Sequence, residues 1–404
     1  MNKLRLLMTL LLMVQGALFA ADWPQFRGVN RDGVSSETDL LNAWPENGPK
    51  ELWRVPLGPG YSAVSSSKGK LYTMYGTEVE GKATEVAACF DPKNGQQIWQ
   101  TALSEQYDTE FGNGPRSTPI IHNGTVIVLS ARGDLAMLSA DKGEVIWKKN
   151  LPETFGCQIP RWGFATTGIV DGDLLLIQTG GPEGKAMAGL KLDDGSTAWS
   201  FDNSMALYNS PLAFDWKGKT HYVSVVWERI VCFDREGNEV WDTPWPKGET
   251  HAMPIFIPPN KLYVSGAQPI GAKLFELQEK DGSVELQEKW AVKSLRNHFS
   301  SSVYHEGYLY GFDNATLKCI SVEDGSLKWS KRRLGKGSLI FADNMLYVLS
   351  DQGKLLFIEA TPEAYREKGA VQALKGRCWT MPTLSQGKLY LRSHDEMVCY
   401  DVKG

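Results

Sequence analysis

Past its first 20 residues the chain keeps returning to one order of apolar and polar positions. A small residue or proline leads into an apolar run, a turn of Gly, Asn or Asp follows, and a second apolar run closes the unit. "STPIIHNGTVIVLS", "TTGIVDGDLLLIQT", "SSVYHEGYLYGF", "SLIFADNMLYVLS" and "PTLSQGKLYLRS" all have this form. The runs alternate, are rich in Val, Ile, Leu and Tyr, and stop at turn formers, which predicts antiparallel hairpins.

A second constant piece follows each hairpin: an apolar strand, an acidic turn, and Gly four residues before Trp. It recurs at Gly95/Trp99, Gly143/Trp147, Gly195/Trp199, Gly237/Trp241 and Gly325/Trp329. A stretched copy has Gly282 and Trp290, and "LLFIEATPEAYREKGAVQAL" has lost its Trp. Each unit therefore holds four short strands in about 40–50 residues, the period of a propeller blade. The chain ends on three strands, "KLYLRSHDEMVCYDVKG", while the missing kind of strand stands at the front as "KELWRVPLG" around Trp53. Residues 50–57 are expected to complete the last blade and close the ring, leaving no open sheet edge. The prediction is an all-β, eight-bladed propeller of four-stranded antiparallel blades, with seven blades as the alternative. Trp53, Trp99, Trp147, Trp199, Trp241, Trp290 and Trp329 are read as structural rings wedged between blades.

The 404 residues are 42% hydrophobic and 22% charged, with net charge −4 and pI near 6.0. That balance gives no electrostatic footprint for nucleic acid. Gly at 40 and Trp at 14 against 6 His agree with many strands and tight turns. Lys3 and Arg5 precede an apolar run at 6–14, and Ala17, Ala20 and Ala21 offer small residues for cleavage. Residues 1–20 read as a signal peptide cut near Ala20, 21–49 as an N-terminal extension, and 50–404 as one propeller domain. No later stretch is apolar enough to span a bilayer. A soluble monomer, periplasmic or secreted, is expected.

The spacing small-x-Asp-x-x-x-Gly-x-x-x-Trp, clearest at Cys89, Asp91, Gly95 and Trp99, resembles the repeat of pyrroloquinoline-quinone (PQQ) type propellers over nearly all of the mature chain. "DWPQFRGVNRDGVS" (22–35) also resembles the opening of exported bacterial PQQ-like propeller proteins. That family includes quinoprotein alcohol dehydrogenases and a non-enzymatic outer-membrane assembly lipoprotein, so the resemblance implies the fold more than a chemistry. Its dehydrogenases commonly carry two adjacent Cys, and no such pair is present here. Among the six cysteines, Cys89, Cys232, Cys319 and Cys399 occupy the same place in four blades, too far apart for the ~5.5 Å of a disulfide. A Cys157–Cys378 bond stays open.

Function in a propeller sits on loops at the axial faces. Aligning the loops that lead into the innermost strands gives Tyr61, Arg116, Phe164, Tyr208, His251, Phe299, Lys336 and Trp379, with Arg161, Trp162, Asn209, His298 and Arg377 beside them. This aromatic and basic ring suits a planar anion, with rings to stack on and guanidinium forks for carboxylates. The same side chains could instead plug the channel and bond to rim backbone. No metal site is expected. His251 and His298 occupy neighbouring loops, but two imidazoles alone do not make a zinc site. Turns containing Asp91, Asn94, Asp193, Asp194, Asp313 and Asn314 lack the oxygen series of a calcium loop and read as turn chemistry.

The preferred reading is an exported, non-catalytic binding or scaffold propeller of the cell envelope, needing no cofactor. Its partner would be an envelope protein, peptide, glycan or small anionic ligand. The resemblance implies, as alternative, a dehydrogenase using PQQ and calcium on alcohols or sugars. A polysaccharide- or peptide-binding face is the third reading.

Overall fold

The computed structural model describes residues 22–206 and 208–404, so the expected leader at 1–20 lies outside the described residues. Eight four-stranded antiparallel sheets follow one another. Blade 1 spans 65–105, blade 2 120–150, blade 3 169–201, blade 4 212–244, blade 5 255–292, blade 6 303–331 and blade 7 337–372. Blade 8 is composite: strands within 383–401 are completed on the outside by Lys50–Pro56. That strand runs antiparallel to Glu396–Asp401, with Lys50 opposite Asp401, Trp53 opposite Cys399 and Pro56 opposite Glu396. The seam with blade 1 is stapled by Arg392, fully buried, which donates to Met74 O (2.7 Å), Gly58 O (2.9 Å) and Ser62 O (3.3 Å).

The Gly-to-Trp spacing has a mechanical explanation. Each Trp sits opposite one position of the neighbouring strand: Cys89 faces Trp99, Met137 faces Trp147, Gly189 faces Trp199, Cys232 faces Trp241, Leu274 faces Trp290 and Cys319 faces Trp329. A register shift beside each pair marks a bulge. The indole then lies on the repeat Gly of the next blade: Trp53 on Gly95, Trp99 on Gly143, Trp147 on Gly195, Trp199 on Gly237 and Trp290 on Gly325. These glycines have φ between 70° and 83°, and a Cβ on any of them would meet the ring. Glycine is therefore required both for the left-handed turn and for the seat. Each indole N–H also donates to the next blade, as Trp53 Nε1 does to Pro92 O (2.9 Å) and Trp147 Nε1 to Leu192 O (2.7 Å). Burying one such ring removes on the order of 200 Å² from water, roughly 5 kcal/mol in transfer terms.

Two departures follow from the irregular copies. Blade 5 is the stretched copy, whose outer hairpin pairs ten-residue strands, Gly271–Lys280 and Ser283–Val292. Its Gly282 has nothing within 4 Å, and Trp241 of blade 4 is left without an acceptor for Nε1. In blade 7, Gly369 stands opposite Phe357, the register position that holds Trp elsewhere.

The N-terminal extension is part of the ring. Trp23 bridges to Ser66 of blade 1, and Pro24 O accepts from Ile121 N (2.8 Å) in blade 2. Arg31 donates to Thr167 O (2.7 Å) and Gly168 O (2.8 Å) at blade 3 and to Pro211 O (3.1 Å) at blade 4. Arg27 donates to Ser302 O (2.6 Å) at blade 6, and Ser35 N to Phe341 O (2.8 Å) in blade 7. Partners on six blades place this segment across the axis. Both guanidiniums are fully buried among carbonyls, and desolvation holds Arg27 down at about 10 and Arg31 at about 9, the latter also through Arg27.

All six cysteines are free and buried. Cys157 packs in the core between blades 2 and 3, Cys378 in that between blades 7 and 8, so no Cys157–Cys378 bond forms. Turn chemistry accounts for Asp91, Asn94 and Asp194, which accept from Lys93 N (2.8 Å), Gln96 N (2.9 Å) and Ser196 N (2.7 Å). Asp313 differs: it is buried and paired with Arg296 (2.7 Å) and Lys318. No helix among the described residues is long and apolar enough to cross a membrane.

Candidate functional site

The loops leading into the innermost strands converge at one end of the axis around a cavity of about 400 Å³. It is lined by Tyr61, Arg116, Trp162, Tyr208, His251, His298, Phe299, Lys336 and Trp379, all named from the sequence. The rings form a nearly continuous wall. Tyr61 stacks with Trp379 (5.5 Å between centroids), Trp379 with Phe299 (5.1 Å), His298 meets His251 (5.4 Å), His251 meets Tyr208 (4.9 Å) and Tyr208 meets Trp162 (5.2 Å).

The other expected members do not line the cavity. Phe164 is buried in the core of blades 2 and 3. Asn209, fully buried, donates to Val225 O (2.8 Å) and Thr250 O (3.1 Å). Arg161 stands outside, on the face of Trp162 and paired with Glu110 (2.8 Å). Arg377 also lies off the cavity lining, over Trp379, and donates to Phe111 O.

Seven lining residues were missed; Thr109, Thr118, Ala165 and Thr167 are small, and the other three bring a ring or a charge. Phe111 belongs to the long Gly-rich loop between blades 1 and 2, and its carbonyl accepts from both Tyr61 and Arg377. Phe26 comes from the extension that crosses the axis. Glu249 stands two residues before His251. The Gly-x-Gly of the loop at 112–114 was the one visible signal, for Phe111.

The cations are not equivalent. Arg116 is wrapped by its own loop, donating to Gly114 O, to Gly112 O (2.8 Å) and to Thr109 Oγ1 (3.2 Å). Its fork is held within that loop, whereas Arg377, off the lining, is tied through Nη1 alone, to Phe111 O and to Tyr61 Oη (3.4 Å). Lys336 has one hydrogen-bond partner, His298 Nδ1 at 3.5 Å, and stands 5.9 Å from the ring centres of both Phe299 and Trp379. It is the ammonium left to meet an anion.

Burial, reinforced by His298 and Lys336, pushes His251 down to about 3, and burial with Lys336 takes His298 down to about 4. Both imidazoles are neutral at neutral pH. The Nε2 atoms of His251 and His394 are buried without a hydrogen-bond partner.

PQQ with calcium does not fit this donor set. A tricarboxylate wants free guanidinium forks on the lining; the one there, Arg116, is held by its own loop, and Arg377 lies off it. Calcium wants about six to eight oxygens; the one carboxylate on the cavity lining, Glu249, faces imidazoles instead.

Eight four-stranded blades, five of their junctions closed by an indole on a repeat glycine, around an aromatic mouth define a PQQ-type β-propeller. The chain matches the family model described as outer membrane protein assembly factor BamB over residues 82–253 and 226–403, and it belongs to that family. It is 27% identical over 171 residues to outer membrane protein assembly factor BamB of Escherichia coli (strain K12), covering 40% of each chain. To the protein of that name from Yersinia pestis it is 25% identical over 221 residues, 51% of this chain and 52% of the relative. The chain thus spans two fifths to about half of the curated relatives it matches. BamB from Moraxella catarrhalis superposes with a TM-score of 0.65 at 15% identity, over 87% of this chain and 99% of that one. The quinohemoprotein alcohol dehydrogenase of Comamonas testosteroni also gives 0.65, at 12% identity, over 95% and 81%. At these identities the likeness is one of fold.

Proposed function

We propose that this protein is an exported, non-catalytic binding propeller of the cell envelope. Its axial mouth takes a peptide segment or small ligand that carries a flat ring and a negative charge. The cavity itself carries the reading: seven aromatic side chains, Phe26, Tyr61, Phe111, Trp162, Tyr208, Phe299 and Trp379, surround it, and Lys336 lines it with an ammonium held only by His298 at 3.5 Å. An aromatic ring entering such a wall gains roughly 0.5–1.5 kcal/mol per ring contact beyond its burial. The ammonium adds charge complementarity in a partly desolvated place.

Family membership supports a protein partner, since the matched relatives are named for outer membrane protein assembly. In this reading residues 1–20 are the leader, removed near Ala20, and residues 21–49 with 50–404 act as one body outside the cytoplasm. An aromatic and acidic peptide segment meets both the mouth and this setting.

Titration of the mature protein, in EDTA, with a short Trp/Glu peptide tests the proposal through intrinsic tryptophan fluorescence. Saturable binding is expected, weakened about tenfold or more by Lys336→Ala and by Trp379→Ala with unchanged circular dichroism. Equal binding by both variants removes the mouth as the site. Oxidation of an alcohol or sugar by protein loaded with PQQ and calcium would overturn the non-catalytic part.

A further inference from the structure

The mouth holds a group that the aromatic reading does not use. Glu249 Oε2 lies 4.0 Å from His251 Nε2 and 3.9 Å from His298 Nε2. One donor atom from each residue falls within 4.8 Å of the others. The His251 side chain is only 10% exposed, and its Nε2 has no hydrogen-bond partner. A buried ring nitrogen left unpaired beside a carboxylate and a second imidazole calls for an explanation.

We infer that Glu249, His251 and His298 form a site for one divalent late first-row transition metal, with Zn²⁺ as the reference ion, whose fourth position opens into the axial cavity.

Two imidazoles and a carboxylate are the donor set of open zinc sites and suit Zn²⁺, Co²⁺, Ni²⁺ or Cu²⁺ rather than the oxygen-seeking Mg²⁺ and Ca²⁺. Bonds of about 2.0–2.1 Å require donors about 3.4 Å apart in a tetrahedron, so each side chain moves inward by less than ~1 Å. All three residues line the cavity, which leaves room for a water or a ligand atom on the open side.

The backbone behind the donors is already fixed. Between Glu249 and His251, Thr250 is buried, accepting from Trp245 Nε1 (2.9 Å) at its hydroxyl and from Asn209 Nδ2 (3.1 Å) at its carbonyl. Glu249 O accepts from Ala267 N (2.9 Å). Beside His298, Asn297 donates from its backbone N to Ser265 Oγ (3.0 Å) and from Nδ2 to Phe312 O (3.1 Å). Both donor segments are thus held by buried side chains of blades 4 to 6, the support a preorganised site needs.

One group opposes the ion. Lys336 Nζ stands 3.5 Å from His298 Nδ1. With a metal on Nε2, the neutral ring carries its proton on Nδ1 and no longer accepts there, so the ammonium must turn into the cavity. Removing that charge should favour the metal.

The site shares the cavity with the aromatic ligand proposed above, whose binding is assayed in EDTA, so the two tests are independent. The test is calorimetric titration of tag-free, EDTA-stripped mature protein with ZnCl₂, with CoCl₂ as spectroscopic probe. One Zn²⁺ per chain is expected at micromolar affinity or tighter, and visible d–d absorption of four- or five-coordinate Co²⁺. Glu249→Gln, His251→Ala and His298→Ala should each weaken Zn²⁺ by about tenfold or more. Lys336→Met should tighten it severalfold, and His122→Ala in blade 2 should leave it unchanged. Lack of saturable Zn²⁺ binding below about a millimolar, or affinity unmoved by His298→Ala and Glu249→Gln, removes the site. If His251→Ala does not fold, those two variants and the cobalt spectrum decide.

Discussion

Trp44 lies flat on Phe357, ring centroids 4.8 Å apart and planes 6° from parallel. Phe357 faces Gly369, the register position where the other blades carry Trp. The ring missing from blade 7 is therefore delivered by the N-terminal extension, and Gly369 leaves room for it: a Cβ there would meet Trp44 Cβ at 2.8 Å. Trp44→Ala should cost about 3–5 kcal/mol, the range for large aromatic truncations in a core. Gly369→Trp should destabilise on its own by clashing with Trp44, yet recover part of the loss in a Trp44→Gly background, where the Cβ it meets is gone as well. Urea denaturation of wild type, Trp44→Gly, Gly369→Trp and the double variant measures the cycle; no recovery in the double variant would mean the two rings do not share one seat.

The repeat glycine should be irreplaceable where an indole rests on it and merely strained elsewhere. Gly143 (φ 72°) would place a Cβ 2.5 Å from Trp99, whereas Gly282 (φ 78°) meets nothing within 4 Å. Both alanine variants carry the cost of a left-handed residue, about 1–2 kcal/mol. Gly143→Ala should lose a further 1–3 kcal/mol or so through overpacking. Matching melting temperatures for the two variants would reject the seat.

Arg31 is a brace that needs a guanidinium. It reaches Thr167 O, Gly168 O and Pro211 O from one buried head, and also Gln25 Oε1 (3.1 Å). Lysine offers a compact ammonium in place of the planar fork. Arg31→Lys should therefore lose about 2–4 kcal/mol, because buried carbonyls on two blades lose their donor. Chemical denaturation is the measurement, and wild-type stability in Arg31→Lys would count against the brace.

Glu85 should give stability a slope with pH. It joins blade 1 to blade 2, accepting from Ala131 N (2.8 Å) and Tyr107 N (3.2 Å). Burial raises its carboxyl from 4.5 to about 7, against those two hydrogen bonds and the nearby Arg116 and Arg132. Between those values the folded state keeps a proton that the unfolded state has released, so stability falls as pH rises from about 4.5 to about 7. At about 1.36 kcal/mol per unit the loss is at most ~3 kcal/mol. Glu85→Gln should remove this slope, read as the pH dependence of the difference in unfolding free energy between wild type and variant. A difference independent of pH would show that Glu85 is ionised in the fold.

The sequence by itself favoured eight blades over seven and specified the closure by the Trp53 strand and the structural role of the repeated Trp; the structure has eight blades. All three rest on spacing that recurs along the chain, and strand pairing with a period of two leaves little freedom once the repeats are aligned. It also named most of the mouth, because residues leading into equivalent strands must meet at one end of the axis. Tertiary structure decided what those residues do. Arg116 and Arg377 become rim braces while Lys336 is held only by His298, because carbonyls of folded loops reach the first two. Glu249 joins His251 and His298 only when blades 5 and 6 stand side by side. Trp44 fills blade 7, and Phe26 reaches the cavity, because the extension lies across a ring that exists only after closure. Local periodicity is written in the chain, whereas a hydrogen bond or a ring contact between distant loops depends on distances that closure of the whole circle sets.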